Sequence, residues 1–175
     1  MNLLLIGYRC TGKTTIGRIL AEKLAWPLLD TDALIQDRLG QTIDQFVSAR
    51  GWDAFRDAET AVVKDVAALD KQVISLGGGA ILREENRQAL KSAGKLIYLR
   101  AEPATIWSRL QSDPASAAQR PNLTGQGGLG EITRLLAERR PIYEQSADFA
   151  ISTDHFAPDE IAGRILTWLM IHRLV

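Results

Sequence analysis

Gly7-Tyr8-Arg9-Cys10-Thr11-Gly12-Lys13-Thr14 follows the apolar run Leu3 to Ile6 and leads into Thr14 to Leu24, where Ile16, Ile19, Leu20 and Leu24 recur at helical spacing. The octapeptide fits the pattern G-x-x-x-x-G-K-[ST] in full. It also sits where that pattern belongs, between a short strand buried on both faces and the start of a helix. Backbone N–H groups of such a loop converge on one concavity that favours negative charge. Lys13 adds a mobile positive charge for outer phosphates, and the Thr14 hydroxyl is placed to meet a magnesium ion. The stretch predicts a phosphate cradle for a nucleotide and leaves the acceptor open.

Working outward, short apolar runs alternate with helical segments. Strands are expected at Trp26 to Asp30, Val73 to Leu76, Leu96 to Leu99 and Phe149 to Ser152. Helices are expected over Ala33 to Leu39, Thr42 to Arg50 with Thr42 as cap, Trp52 to Leu69, Arg83 to Ser92, and Pro103 to about Leu110. Two more cover Glu131 to Gln145, bent or interrupted at Pro141, and Pro158 to Leu174. This rhythm predicts an α/β, three-layer α-β-α sandwich around a five-stranded parallel sheet, with ligands beyond the carboxyl ends of the strands. Gln111 to Gly130, rich in glycine and proline, breaks the rhythm and reads as a mobile excursion.

The 175 residues suffice for one compact domain, with roughly 70% of the unfolded surface buried. Twenty-one basic residues balance 21 acidic ones, so no global field draws nucleic acid or an acidic membrane. There is no basic stripe or stacking platform for nucleic acid either. The single Cys10 excludes an intramolecular disulfide, and no Cys/His cluster has structural-zinc spacing. The apolar start is too short to span a bilayer and lacks the marks of a signal peptide, so a cytoplasmic setting is expected. Cys10 reads as a small residue that fits the loop rather than as a reactive thiol.

Three further groups carry chemistry. Asp30-Thr31-Asp32 follows the second expected strand, and carboxylates at i and i+2 there suit a magnesium-bound water and a substrate hydroxyl, or simply a cap and turn. Arg56 and Glu59 share a helical face, where such a pair is usually a solvated surface contact. Gly77-Gly78-Gly79 after a strand carries an entropic cost that makes sense where something approaches the backbone closely. Trp52, just before Phe55-Arg56, either lines an acceptor pocket or serves plain packing.

Together with Arg120-Pro121 and Arg139-Arg140-Pro141-Ile142-Tyr143, these motifs resemble the shikimate kinase family in order and approximate spacing, over nearly the whole chain. The resemblance implies a P-loop kinase fold of nucleoside-monophosphate-kinase type: a single kinase domain over 1–175, an acceptor region at about 31–60 and a mobile lid at about 111–130. It implies transfer of the ATP γ-phosphoryl group to the 3-hydroxyl of shikimate, with Mg2+ as cofactor, while the chain's size and neutral net charge are compatible with a monomer. Lys13, Asp32 and Arg120 would be catalytic, Asp32 as the base and Arg120 reaching in from the lid. Cys10, Thr11, Gly12, Lys13, Thr14, Thr15, Arg109, Arg120 and Asp154 would bind ATP, Arg109 against the adenine with Thr153-Asp154 nearby. Asp32, Arg56, Gly78, Gly79 and Arg139 would bind shikimate, the two arginines clamping its carboxylate. Thr14, and Asp30 through water, would hold the metal.

The chemistry agrees with these roles. Phosphoryl transfer asks mainly for positioning and charge neutralisation, and a planar carboxylate is matched by guanidinium forks. The chain departs from the family at Cys10, where glycine is more usual, at Asn122 before Leu123, and in a long, glycine-rich lid. A related small-molecule kinase such as a gluconate kinase, and a non-catalytic nucleotide-binding regulator, are the competing readings.

Overall fold

The computed structural model describes residues 1–112 and 127–175. Five parallel strands form one sheet in the order β2-β3-β1-β4-β5: β1 (Asn2–Ile6), β2 (Leu28–Asp30), β3 (Val73–Ser75), β4 (Gly94–Arg100) and β5 (Phe149–Ser152). Among the described residues seven helices accompany them: α1 (Lys13–Leu24), α2 (Thr31–Leu39), α3 (Ile43–Ala67), α4 (Glu84–Ala93), α5 (Pro103–Ser112), α6 (Gly128–Ser146) and α7 (Pro158–Ile171). The alternation of strand and helix gives the three layers expected of it.

Strand β1 is buried along its whole length, and its pleat divides the core. Leu3 and Leu5 face Ile16 and Leu20 of α1 and Ile161, Ile165 and Leu169 of α7. Leu4 and Ile6 face the opposite layer, with Ile35 of α2, Phe55 and Val62 of α3, Leu90 of α4 and Tyr143 of α6. A third, smaller cluster joins Tyr8 to Ile106 of α5 and to Ile132, Leu135 and Leu136 of α6. It anchors both ends of the excursion expected near residues 111–130 to the rim of the sheet. Of that stretch, 113–126 lie outside the described residues, while Gln111 and Ser112 end α5 and Gly128 to Gly130 begin α6.

Several local expectations are refined. Thr42 caps α3 through a capping box, its hydroxyl accepting the Gln45 N–H while the Gln45 side chain accepts the Thr42 N–H. The helical segments expected before and after Gly51 form one span broken at that residue, whose φ of 81° lies outside the helical region. Pro141 does not interrupt α6, which runs through it. The carbonyl deprived of a partner belongs to Ala137, an exposed position. Strand β2 starts at Leu28, two residues later than expected, because the chain leaves α1 through a left-handed Ala25 and reaches sheet register only beyond Pro27. Among the described residues no helix is long and apolar enough to cross a membrane.

Candidate active site

The site lies beyond the carboxyl ends of β1, β2 and β3, in two adjoining hollows. The loop after β1 turns sharply at Gly7, where φ is 145° and a Cβ would come within 2.6 Å of the Leu99 carbonyl oxygen. Gly12 and Cys10 both take positive φ, so the loop curls and presents its amides to a cleft of about 410 Å³. Cys10, Thr11, Gly12, Lys13, Thr14 and Thr15 line that cleft. The Lys13 ammonium donates to the carbonyls of Gly7 and Tyr8 at 2.9 and 2.7 Å and is thereby held across the loop. From the far side, Arg109 of α5 donates to the Cys10 carbonyl at 3.2 Å and to the Thr153 carbonyl and hydroxyl at 2.6 and 3.0 Å. The arginine therefore ties the loop to the segment after β5 and closes one end of the cleft, where Phe156, Pro158 and Ile161 supply an apolar wall.

The two carboxylate oxygens of Asp30 make different contacts. One carboxylate oxygen, Oδ1, accepts the N–H groups of Asp32 and Ala33 and so caps α2. The other, Oδ2, accepts the Thr14 hydroxyl at 2.8 Å, and the Ser75 hydroxyl lies 3.3 Å from the same Thr14 oxygen. Thr31, fully buried, receives the Gly77 N–H at 2.9 Å, which locks the ends of β2 and β3 together. Asp32 is thus delivered to a fixed place by the two residues that precede it.

The second hollow, about 60 Å³, is lined by Tyr8, Arg9, Asp32, Trp52, Phe55, Arg56, Glu59, Gly78, Gly79 and Arg139, with Ile43 at its edge. Arg56 and Glu59 are 2.5 Å apart, and the Glu59 side chain is 1% exposed. The expectation of a solvated surface pair is therefore corrected: α3 presents this face to the sheet end rather than to water. Burial pushes the Glu59 carboxyl above its ordinary range, and the adjacent Arg56 guanidinium only partly pulls it back. Trp52 and Phe55 each lie 5.3 Å from the Arg56 guanidinium, so the arginine is held between aromatic faces and an acid. Arg139 lies over the Tyr8 ring at 5.6 Å. Tyr143, one turn along α6, donates its hydroxyl to the Gly78 carbonyl at 2.5 Å, stacks on Tyr98 and is buried, which raises its pKa.

Among the described residues Asp32 is the one that borders both hollows. The fold brings together nearly all the site residues expected from the sequence, with two exceptions. Arg120 lies outside the described residues. Asp154 faces away from the cleft lining: it accepts the Glu102 N–H at 3.0 Å and the Ser152 hydroxyl at 2.8 Å, while its neighbour Thr153 takes the cleft position. Burial acts upward on the Asp154 carboxyl, but those hydrogen bonds outweigh it and hold the pKa low. Tyr8, Arg9, Ser75 and Glu131 join the site without having been singled out. Ser75 was hidden inside an apolar run, and the direction of the Tyr8 and Arg9 side chains depends on loop curl that no motif specifies.

Comparison with known proteins agrees with this geometry. A family model described as shikimate kinase matches residues 9–170. The chain is 44% identical over 168 residues to a shikimate kinase of Oleidesulfovibrio alaskensis, covering 96% of each chain. It is 42% identical over 166 residues to a shikimate kinase of Symbiobacterium thermophilum, covering 95% of this chain and 94% of that one. Among solved structures, a shikimate kinase from Acinetobacter baumannii in complex with shikimate superposes with a TM-score of 0.92 at 32% identity, covering 99% of this chain and 95% of that one. A P-loop bordering a carboxylate and arginine pocket, joined to likeness over almost the entire length, places the chain in the shikimate kinase family of ATP-dependent phosphotransferases.

Proposed function

We propose that the chain moves the γ-phosphoryl group of ATP to the 3-hydroxyl of shikimate, giving shikimate 3-phosphate. The observation that carries this reading is the place of Asp32 on the wall shared by the nucleotide cleft and the arginine-lined pocket. A carboxylate there accepts the proton of a hydroxyl held in the pocket while that oxygen faces the phosphoryl group. Among the described residues Arg139 is the pocket arginine with no carboxylate partner, whereas Arg56 is paired with Glu59 and Arg9 with Glu131. An acceptor carboxylate supplies that missing partner, and Gly78 and Gly79 bring backbone close to it.

On this reading the chain is a single kinase unit with its acceptor region at about 31–60. Lys13 neutralises charge on the transferring group, and Arg109 with the apolar wall receives the base. Arg120 is assigned its catalytic role by family resemblance. Thr14, Asp30 and Ser75 form an all-oxygen cluster that fits a magnesium ion, Thr14 directly and Asp30 through water. That ion would supply charge neutralisation to the ATP phosphates.

The test is ADP release from Mg·ATP with shikimate, with gluconate and with no acid. Release that depends on shikimate supports the proposal. Release with gluconate alone, or with neither acid, overturns it.

A further inference from the structure

We propose that Arg9 is a third acceptor-facing guanidinium of this pocket and that Glu131 is the positioning residue that aims it. The inference rests on the acceptor reading given above and extends it to residues whose identity no motif specifies.

One construction occurs twice in the pocket. Arg56, 15% exposed, is backed by a carboxylate that is 1% exposed. Arg9, 10% exposed, is backed by Glu131, which is 0% exposed, at 3.4 Å. Both arginines line the same hollow. In both cases a fully sealed acid stands behind a guanidinium that reaches the pocket surface. Burying such a pair is costly, and an apolar pair of similar volume would serve stability as well. A guanidinium oriented in advance, however, loses less freedom when it binds an oxygen-rich ligand.

Two further contacts fix the arrangement. The Arg9 and Arg139 guanidinium groups lie 5.8 and 5.6 Å from the Tyr8 ring centroid, so one aromatic contacts two pocket cations. Glu131 is itself anchored, its Oε2 accepting the Gly127 N–H at 3.2 Å at the start of α6. The P-loop thus contributes to both hollows: its amides and Lys13 to the nucleotide, its Arg9 side chain to the acceptor. Arg9 donates to acceptor oxygens on the wall formed by the P-loop, opposite Arg56 on α3.

Steady-state kinetics with Mg·ATP and shikimate on Arg9→Met, Arg9→Lys and Glu131→Gln test this, with KM measured separately for each substrate and melting curves run alongside. Arg9→Met is expected to raise the shikimate KM about tenfold or more while the ATP KM stays within about twofold. Glu131→Gln keeps an oxygen for the Gly127 amide but loses the charge opposite Arg9, so the same KM rises by less. Arg9→Lys recovers part of the loss. An unchanged shikimate KM in folded Arg9→Met, or an equal rise in both KM values, overturns the proposal. If Arg9→Met does not fold, Arg9→Lys and Glu131→Gln decide it by the same split. A wild-type chain inert toward shikimate sinks the function reading instead, which keeps the two failures apart.

Discussion

Glu59 stands 2.5 Å from Arg56 with its side chain sealed from solvent, so the acid that orients a pocket-facing guanidinium has no contact with water. Glu59→Gln leaves that arginine partly buried beside a neutral group. The shikimate KM should rise about tenfold and stability should fall by about 1–3 kcal/mol, less than for a fully buried pair because Arg56 keeps some exposure. A shikimate KM within twofold of wild type would show that Arg56 is oriented by its aromatic neighbours instead.

The same carboxyl gives a pH signature. Burial raises the folded pKa of Glu59 above its ordinary value of 4.5. Between the two values the folded state holds the proton and the unfolded state has lost it, so stability falls as pH rises through that window. The melting temperature of wild type relative to Glu59→Gln should therefore increase as pH is lowered toward 4.5. A difference that is flat with pH would mean that Arg56 fully compensates the burial.

Asp32 borders both hollows, and its removal as a base should be felt in turnover. Asp32→Asn is expected to lower kcat by about a hundredfold or more with the ATP KM little changed. Full-rate turnover by the variant would remove Asp32 from the mechanism.

Gly77 tests the same carboxylate through space. A Cβ on Gly77 would lie 2.6 Å from Asp32 Oδ1 and 3.0 Å from Glu59 Oε1. Both are ends of flexible side chains, so Gly77→Ala should fold with a modest loss of stability yet displace Asp32 and lower kcat at least tenfold. Unaltered kcat would show that Asp32 tolerates displacement.

Arg139 has no carboxylate partner among the described residues and lies over Tyr8 at 5.6 Å. Arg139→Ala should weaken shikimate binding by about 2–3 kcal/mol, roughly 30- to 150-fold in KM. An unaffected shikimate KM would argue against the carboxylate clamp.

Cys10 takes a φ of 60°, a left-handed conformation that costs an L-residue about 1–2 kcal/mol. Cys10→Gly removes that strain but adds freedom to the unfolded chain, so a net gain of up to about 1 kcal/mol is expected in thermal melting. Cys10→Val, β-branched, should lose stability and nucleotide affinity together. A destabilised glycine variant would mean that the thiol packs better than the strain costs.

Local rules acting on the sequence determined much of this protein. Short continuous apolar runs and the 3.6-residue pattern placed all five strands and the described helices, and the octapeptide at 7–14 specified a phosphate cradle because its chemistry is backbone chemistry that a short pattern encodes. Asp32, Arg56, Gly78, Gly79 and Arg139 were legible as an ordered set only through resemblance, since they are far apart in the chain. Tertiary structure decided the rest. It alone sealed Glu59, turned Asp154 toward Glu102 and away from the cleft, and set Glu131 behind Arg9 across 122 positions of sequence. Burial and side-chain direction are properties of which surfaces meet, and residues that meet only after the sheet has assembled leave no periodic trace in the chain.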